Sequence, residues 1–243
     1  MLSKKLLQAN NRYQLSPASD SDSSSLILAC PFNDNYGLSD MSPIIRGFGN
    51  SYNLITNNAS LDTSRNKFYN SSIQVASPFP SSSVRIQTSA NIPAFGSNDF
   101  CVETWLYVPS IGTNNCAVFY NHNDTNNGFQ CLILGSSTGY SGKLYFSGGA
   151  GGDVSRSGNS IPLGQWFHFA FTRSSTVLRL FINGVNSIQI GGTVTTNFTL
   201  SSAARLFVQF DTTYNTVRAQ DFRIYQGSAK YTSNFTPPGA MFI

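Results

Sequence analysis

From Ser25 onward the apolar positions fall into short runs of aromatic and β-branched residues, separated by clusters of Asn, Gly and Ser. That is a strand–turn–strand pattern. It predicts strands near 25–32, 52–56, 67–76, 83–88, 99–108, 116–121, 128–135, 142–147, 165–173, 177–183, 186–190, 204–211 and 216–225. In "WFHFAFT" strict alternation puts Trp166, His168 and Ala170 on one face and Phe167, Phe169 and Phe171 on the other. In "FINGVNSI" the pair Asn183-Gly184 lies between two strand runs, the signal of a type I′ hairpin. Val217 to Tyr225 reads as a last strand, Gly227 as a turn, and Pro237-Pro238 as a stretch that cannot extend a ladder, since proline donates no backbone N–H. No segment past residue 24 keeps a helical period for more than one turn. So many strands in one domain require two packed antiparallel sheets, an all-β sandwich.

Residues 1–24 do not share the pattern. "LSKKLLQA" reads as one or two helical turns capped by Ser3, and "SPASDSDSSS" as a linker. We therefore divide the chain into an arm at 1–24 and a sandwich domain at 25–243. The arm's candidate partner-docking residues are Lys4, Lys5, Leu6, Leu7, Arg12 and Tyr13.

Composition narrows the function. The 243 residues are 40% hydrophobic and 13% aromatic, ample for a core, but only 11% are charged, against about 25% in ordinary soluble domains. Ser, Thr, Asn and Gly supply the polarity instead, and a surface so poor in charge suits one partly covered by neighbours, whether other proteins or copies of this chain. The net charge of +4 comes from 15 basic and 11 acidic residues. They are scattered apart from Lys4, Lys5 and Arg12, so the dense basic stripe of a nucleic-acid partner is missing. No run has the length of a membrane helix, and the first residues carry no apolar signal core. Both features predict synthesis in a cytoplasm and no membrane insertion. Cys30, Cys101, Cys116 and Cys131 each lie in an apolar run without a CxxC pair. They read as buried thiols or cross-sandwich disulfides rather than zinc ligands.

The order of the segments resembles the laminin-G-like branch of the concanavalin A-like lectin/glucanase superfamily. "SLILACPFNDNYGLSDMSP" is similar to its first strand, acidic loop and turn, here at Ser39-Asp40. "NKFYNSSIQVA" resembles a following segment, with Tyr69 where the family usually has Gly. "DFCVETWLYVPS" carries its Phe100, Glu103 and Trp105 landmarks. "GQWFHFAFTRSSTVLRLFINGV" carries Trp166, His168, Thr172-Arg173 and Gly184, with Asn183 for the usual Asp, and "DFRIYQGSAKYTSNFTPP" resembles the family's ending. The resemblance spans about 25–238 and implies a jelly-roll sandwich of the concanavalin A-like kind. This style of ending resembles versions common in structural proteins of tailed bacteriophages.

The family's fold hosts hydrolases, lectins and virion proteins alike. Its glycosidases use paired carboxylates, whereas Glu103 is the chain's one glutamate and its strand neighbours at i+2 and i+4 are Trp105 and Tyr107. We read Glu103 as structural, hydrogen-bonded at a sheet edge, and His168 as a hydrogen-bonded structural histidine. "SGGAGGD" (147–153) has no lysine in phosphate-loop spacing and no helix after it, so it reads as an inter-strand loop. Calcium is the cofactor the resemblance brings into question. Asp34, Asn35 and Asp40 in "FNDNYGLSD" are its candidate ligands, and the same residue types are ordinary turn formers. A sugar site would need an aromatic platform beside polar groups, with Tyr36, Tyr140 and Tyr214 as loop candidates and His122 and Asp124 as companions.

The expected function is a non-enzymatic virion protein of a tailed phage, a capsid decoration or surface knob held by its arm and able to touch host glycans. A fibre would need length and trimerising repeats. The alternative is a lectin or adhesion module, calcium-dependent or not, including a tail-associated receptor-binding role.

Overall fold

The structure, a computed structural model, describes residues 20–75, 86–121, 127–149, 153–209 and 217–239. The arm residues Lys4, Lys5, Leu6, Leu7, Arg12 and Tyr13 and the loop residues His122, Asp124 and Tyr214 lie outside them, as do the helical turns expected after Ser3.

Sixteen strands follow in chain order among the described residues: β1 (Leu26–Cys30), β2 (Leu54–Thr56), β3 (Ala59–Asp62), β4 (Ser72–Val75), β5 (Ile86–Ile92), β6 (Phe100–Tyr107), β7 (Cys116–Asn121), β8 (Phe129–Ile133), β9 (Lys143–Gly148), β10 (Asp153–Ser160), β11 (Trp166–Ser174), β12 (Val177–Ile182), β13 (Val185–Asn186), β14 (Ile188–Ile190), β15 (Ser202–Gln209) and β16 (Val217–Gln226). Among the described residues one short α-helix, α1 (Ser42–Arg46), follows β1. The strands form two antiparallel sheets of eight, as expected for a jelly-roll sandwich. One runs β13-β12-β11-β6-β16-β4-β3, with β1 also on β16; the other runs β14-β10-β9-β8-β7-β15-β5-β2.

One strand serves two partners on the same side because it bends. Asp221 has φ 52° and the register of β16 shifts between Gln220 and Arg223, a bulge that re-aims the strand. Residues 217–219 pair with β4, and residues 222–225 pair with β1.

Between the sheets, phenylalanines fill the core. Phe100 stacks on Phe129 at 4.7 Å, and Phe95, Phe146 and Phe198 surround them. Phe167, Phe169 and Phe171 join this core as the alternation required. Arg173 closes one end, with its guanidinium donating to the carbonyls of Asn98, Gly96 and Thr196 over the faces of Phe100 and Phe198. All four cysteines are free and buried.

Two strands lack the pattern that predicts strands. In β10, "DVSRSGNS", the inward positions are Ser155 and Ser157. Their hydroxyls take the amides of Gly192 and Leu144, so polar residues fill the core-facing sites and the apolar period vanishes. β3 is an edge strand with little burial. In the other direction, the single strand expected over 67–76 shrinks to β4, because the amides of Lys67 and Phe68 bond the Gln220 side chain instead of a ladder. The Asn183-Gly184 hairpin has φ 52° and 75°, as a type I′ turn requires.

Residues 20–24 dock on the sandwich. Asp20 accepts from Lys230 at 2.8 Å and from the Tyr225 hydroxyl at 2.6 Å, and Asp22 accepts from Ser228.

Candidate functional site

The carboxylate singled out in the sequence is sealed. Glu103 points away from the core on β6, which lies between β11 and β16 rather than at a sheet edge, so the expected edge position is corrected. It is 1% exposed. The Tyr231 hydroxyl donates to Oε2 at 2.7 Å and His168 Nε2 at 3.2 Å, while Lys230 Nζ and Arg223 lie 3.3 and 3.5 Å from Oε1. Lys230 in turn pairs with Asp20, and Arg223 with Asp221 at 3.3 Å.

Burial by itself would raise the Glu103 carboxyl. Lys230, the His168 hydrogen bond and Arg223 outweigh it and hold the group well below the usual carboxylate range. Burial also lowers His168, against the pull of Glu103. The pair is therefore carboxylate and neutral imidazole, a hydrogen bond rather than an ion pair. A carboxyl held this far down makes a poor proton donor.

The roof of this cluster is the chain's ending. Phe235 stacks on Tyr231 at 3.5 Å and 5°, and meets His168 and Phe181 edge-on. Thr172 donates to the Tyr231 carbonyl, Trp105 Nε1 to the Pro238 carbonyl, and the Phe235 amide to the Gly184 carbonyl. The landmark residues of β6, β11 and the hairpin are thus the ones that pin residues 231–238 across the sheet.

The remaining sequence candidates among the described residues do not form one site. Asp40 is buried and spends both oxygens on the amides of Ala29, Ser42 and Tyr52 and on the Ser42 hydroxyl. Asp34 is exposed and accepts from Asn70, and Asn35 is exposed. Asp34 and Asp40 thus hold different partners, and no cluster of three or more metal-ligating side chains occurs among the described residues. Tyr36 packs with Met41 and Tyr69. Tyr140 is 46% exposed, with the Arg156 guanidinium 3.4 Å from its ring centre. Hydrogen bonding and charge from Arg156 lower the Tyr140 phenol. His122, Asp124 and Tyr214 lie outside the described residues.

What the sequence reading missed is an open recess of about 400 Å³, lined by Ile27, Arg46, Asn50, Ser51, Tyr52, Ser89, Ala90 and Pro93. α1 ends at Gly47, whose φ of 80° is left-handed and whose amide returns to the Pro43 carbonyl. The loop "RGFGNSY" then carries Arg46 to Tyr52 along one wall. β5 and the residues after it form the other, tied in by the Ser89 amide on the Asn53 carbonyl. Asp40 holds the Tyr52 backbone in place. Burial and Asp40 raise the Tyr52 phenol, with Arg46 pulling it down, so it is a neutral donor and acceptor. Phe48, 61% exposed, lies under the Arg46 guanidinium at 5.0 Å. The lining itself combines the Tyr52 ring, the Arg46 cation and several hydroxyl and amide groups, and the size of the recess is within the range of small-ligand sites.

A family profile described as the Concanavalin A-like lectin/glucanases superfamily matches residues 81–230. No curated protein matches the chain. Among solved structures, it is similar to the binding domain of Paraclostridial Mosquitocidal Protein 1, with a TM-score of 0.60, 16% identity, and coverage of 84% of this chain and 49% of that one. It is also similar to the botulinum neurotoxin serotype D ligand binding domain in complex with N-acetylneuraminic acid, with a TM-score of 0.60, 16% identity, and coverage of 88% and 50%. A third likeness is to a structure of botulinum neurotoxin type C, whose cell entry is described as dependent upon interaction with two ganglioside molecules. It has a TM-score of 0.58, 15% identity, and coverage of 84% and 48%. The chain spans about half the length of each solved chain it matches.

Proposed function

Because the chain belongs to the concanavalin A-like lectin/glucanases superfamily, we propose that it is a non-enzymatic recognition module that binds carbohydrate in the recess between Arg46–Tyr52 and the end of β5. The observation that carries this reading is the contrast between the two sites. The one glutamate is roofed over by the chain's own tail and held by two cations, while the recess is open and offers an aromatic ring beside hydroxyl and amide groups, the combination sugar recognition needs. The ligands named for the two botulinum neurotoxin neighbours, N-acetylneuraminic acid and gangliosides, support a glycan as the ligand class. A glycan array with the full chain tests it, together with Tyr52→Ala and Asn50→Ala, two residues of the lining. Binding to a defined set of sugars that both variants weaken upholds the reading. Binding that neither variant changes, or no binding at all, overturns it.

The setting we propose is the particle of a tailed phage, with the module displayed as a surface knob and attached through residues 1–24. Support comes from the "RIYQGSAKYTSNFTPP" ending and from a charged fraction of 11%, a surface suited to contact with neighbours. Mass spectrometry of purified particles tests it. A copy number matching the capsid lattice fits a decoration protein, a handful of copies fits a tail position, and absence from particles ends the virion reading.

A further inference from the structure

The recess is asymmetric in charge. Its lining contains one charged group, Arg46, and no carboxylate. Arg46 Nε is buried without a hydrogen-bond partner among the described residues, and none of the described ion pairs engages this side chain. The anion behind the same wall, Asp40, is already saturated by three backbone amides and a hydroxyl. A half-buried guanidinium that lines the recess and makes no hydrogen bond or ion pair among the described residues is an incomplete arrangement, because partly desolvated N–H groups without an acceptor cost free energy that a ligand oxygen on the open side of the head group offsets.

The loop also holds that guanidinium in place. A Cβ at Gly49 would lie 2.8 Å from Arg46 Nη2, so the glycine leaves the space the head group fills. The Phe48 ring supports it from one side at 5.0 Å. Arginine presents its donors as a planar fork that fits the two oxygens of a carboxylate or sulfate. Asn50, Ser51, Ser89 and the neutral Tyr52 phenol supply the donors and acceptors that sugar hydroxyls require.

We propose that the recess selects anionic sugars, with Arg46 binding the carboxylate or sulfate of a single acidic sugar unit. This rests on the carbohydrate reading of the same recess and adds the ligand's charge to it. The test is calorimetry of the full chain with matched ligands: N-acetylneuraminic acid and glucuronic acid, the methyl ester of each, 6-sulfated N-acetylglucosamine, and neutral galactose and N-acetylglucosamine. Wild type and Arg46→Gln are compared, with Tm measured on both.

The proposal expects at least one acid to bind about tenfold or more tightly than its ester or neutral counterpart. It also expects Arg46→Gln to erase that preference without moving Tm. Preference among carboxylates alone, or for the sulfate alone, identifies which anion the recess takes. Equal binding of acid and ester by wild type, or a preference that survives Arg46→Gln, overturns the anionic proposal and leaves carbohydrate binding standing. Failure to bind any sugar overturns both.

Discussion

Replacing Glu103 with Gln keeps the shape of the side chain and removes its charge. The carboxylate is 1% exposed and lies within 3.5 Å of two cations. The substitution strands Lys230 and Arg223, each left with one acidic partner, Asp20 and Asp221. Breaking a buried pair from one side costs about 3–5 kcal/mol, and the surviving partners put this case near 3. For a chain of this size Tm moves by about 2–4 °C per kcal/mol, so the melting point should fall by roughly 6–12 °C. Differential scanning calorimetry at pH 7 reads it directly. Lys230→Met also takes the cation from Asp20, so the double variant should lose less than the sum of the two single ones, a coupling of about 0.5–3 kcal/mol. Ligand binding below the melting transition should be unchanged. A Tm drop under about 2 °C would refute the reasoning, since it would mean that water reaches the cluster and the tail does not close it. Loss of ligand binding with Tm intact would refute it differently, by making Glu103 a ligand contact.

Acid should destabilise the fold in two stages. His168 is held below its ordinary value of 6.5 by burial. Between that value and its lower folded one, only the unfolded chain takes the proton, so stability falls as pH drops below about 6.5. Glu103, held well below its ordinary 4.5, gives the folded state an advantage that is present above that value and disappears as pH falls through the lower folded one. His168→Gln keeps a donor for Glu103 and should flatten Tm between pH 7 and 5; equal slopes in both proteins would contradict this. Gly184→Ala should cost about 2 kcal/mol or more. Its φ is 75°, and a Cβ there would lie 1.9 Å from the Phe235 carbonyl oxygen, so an unchanged melt would contradict the docking of the tail on the hairpin. Burial raises the thiols of Cys30, Cys101 and Cys131, with Asp40 and Glu103 adding to the first two, and Cys116 is buried as well. A thiol reagent at pH 8 should therefore label none of them in the native protein and all four after denaturation.

Local signals reached as far as local physics does. The alternation in β11 and the Asn183-Gly184 turn were legible because each is decided by neighbouring residues. β10 was not, because its inward serines satisfy backbone amides of other strands and break the apolar period that marks a strand. That Glu103 lacks a carboxylate partner on its own strand could be read directly. Its burial could not, since Tyr231 lies 128 residues away and only the fold brings the tail over it. Asp34, Asn35 and Asp40 read as one candidate set by proximity in sequence, yet Asp40 turns inward to tie β1 to the loop before β2. The recess was hidden for the same reason. "RGFGNSY" reads as a glycine turn until β5 supplies the opposite wall, and nothing near Arg46 in sequence shows that its guanidinium goes unpaired.

The most direct test of the account is a map of where a bound sugar sits, by amide chemical-shift perturbation of the full chain titrated with an acidic sugar that it binds. The account predicts shifts concentrated at residues 46–52 and 89–93, with Glu103, His168 and Tyr231 undisturbed. Shifts centred on Glu103 and the tail, or on the outer face of β7–β10, would contradict it.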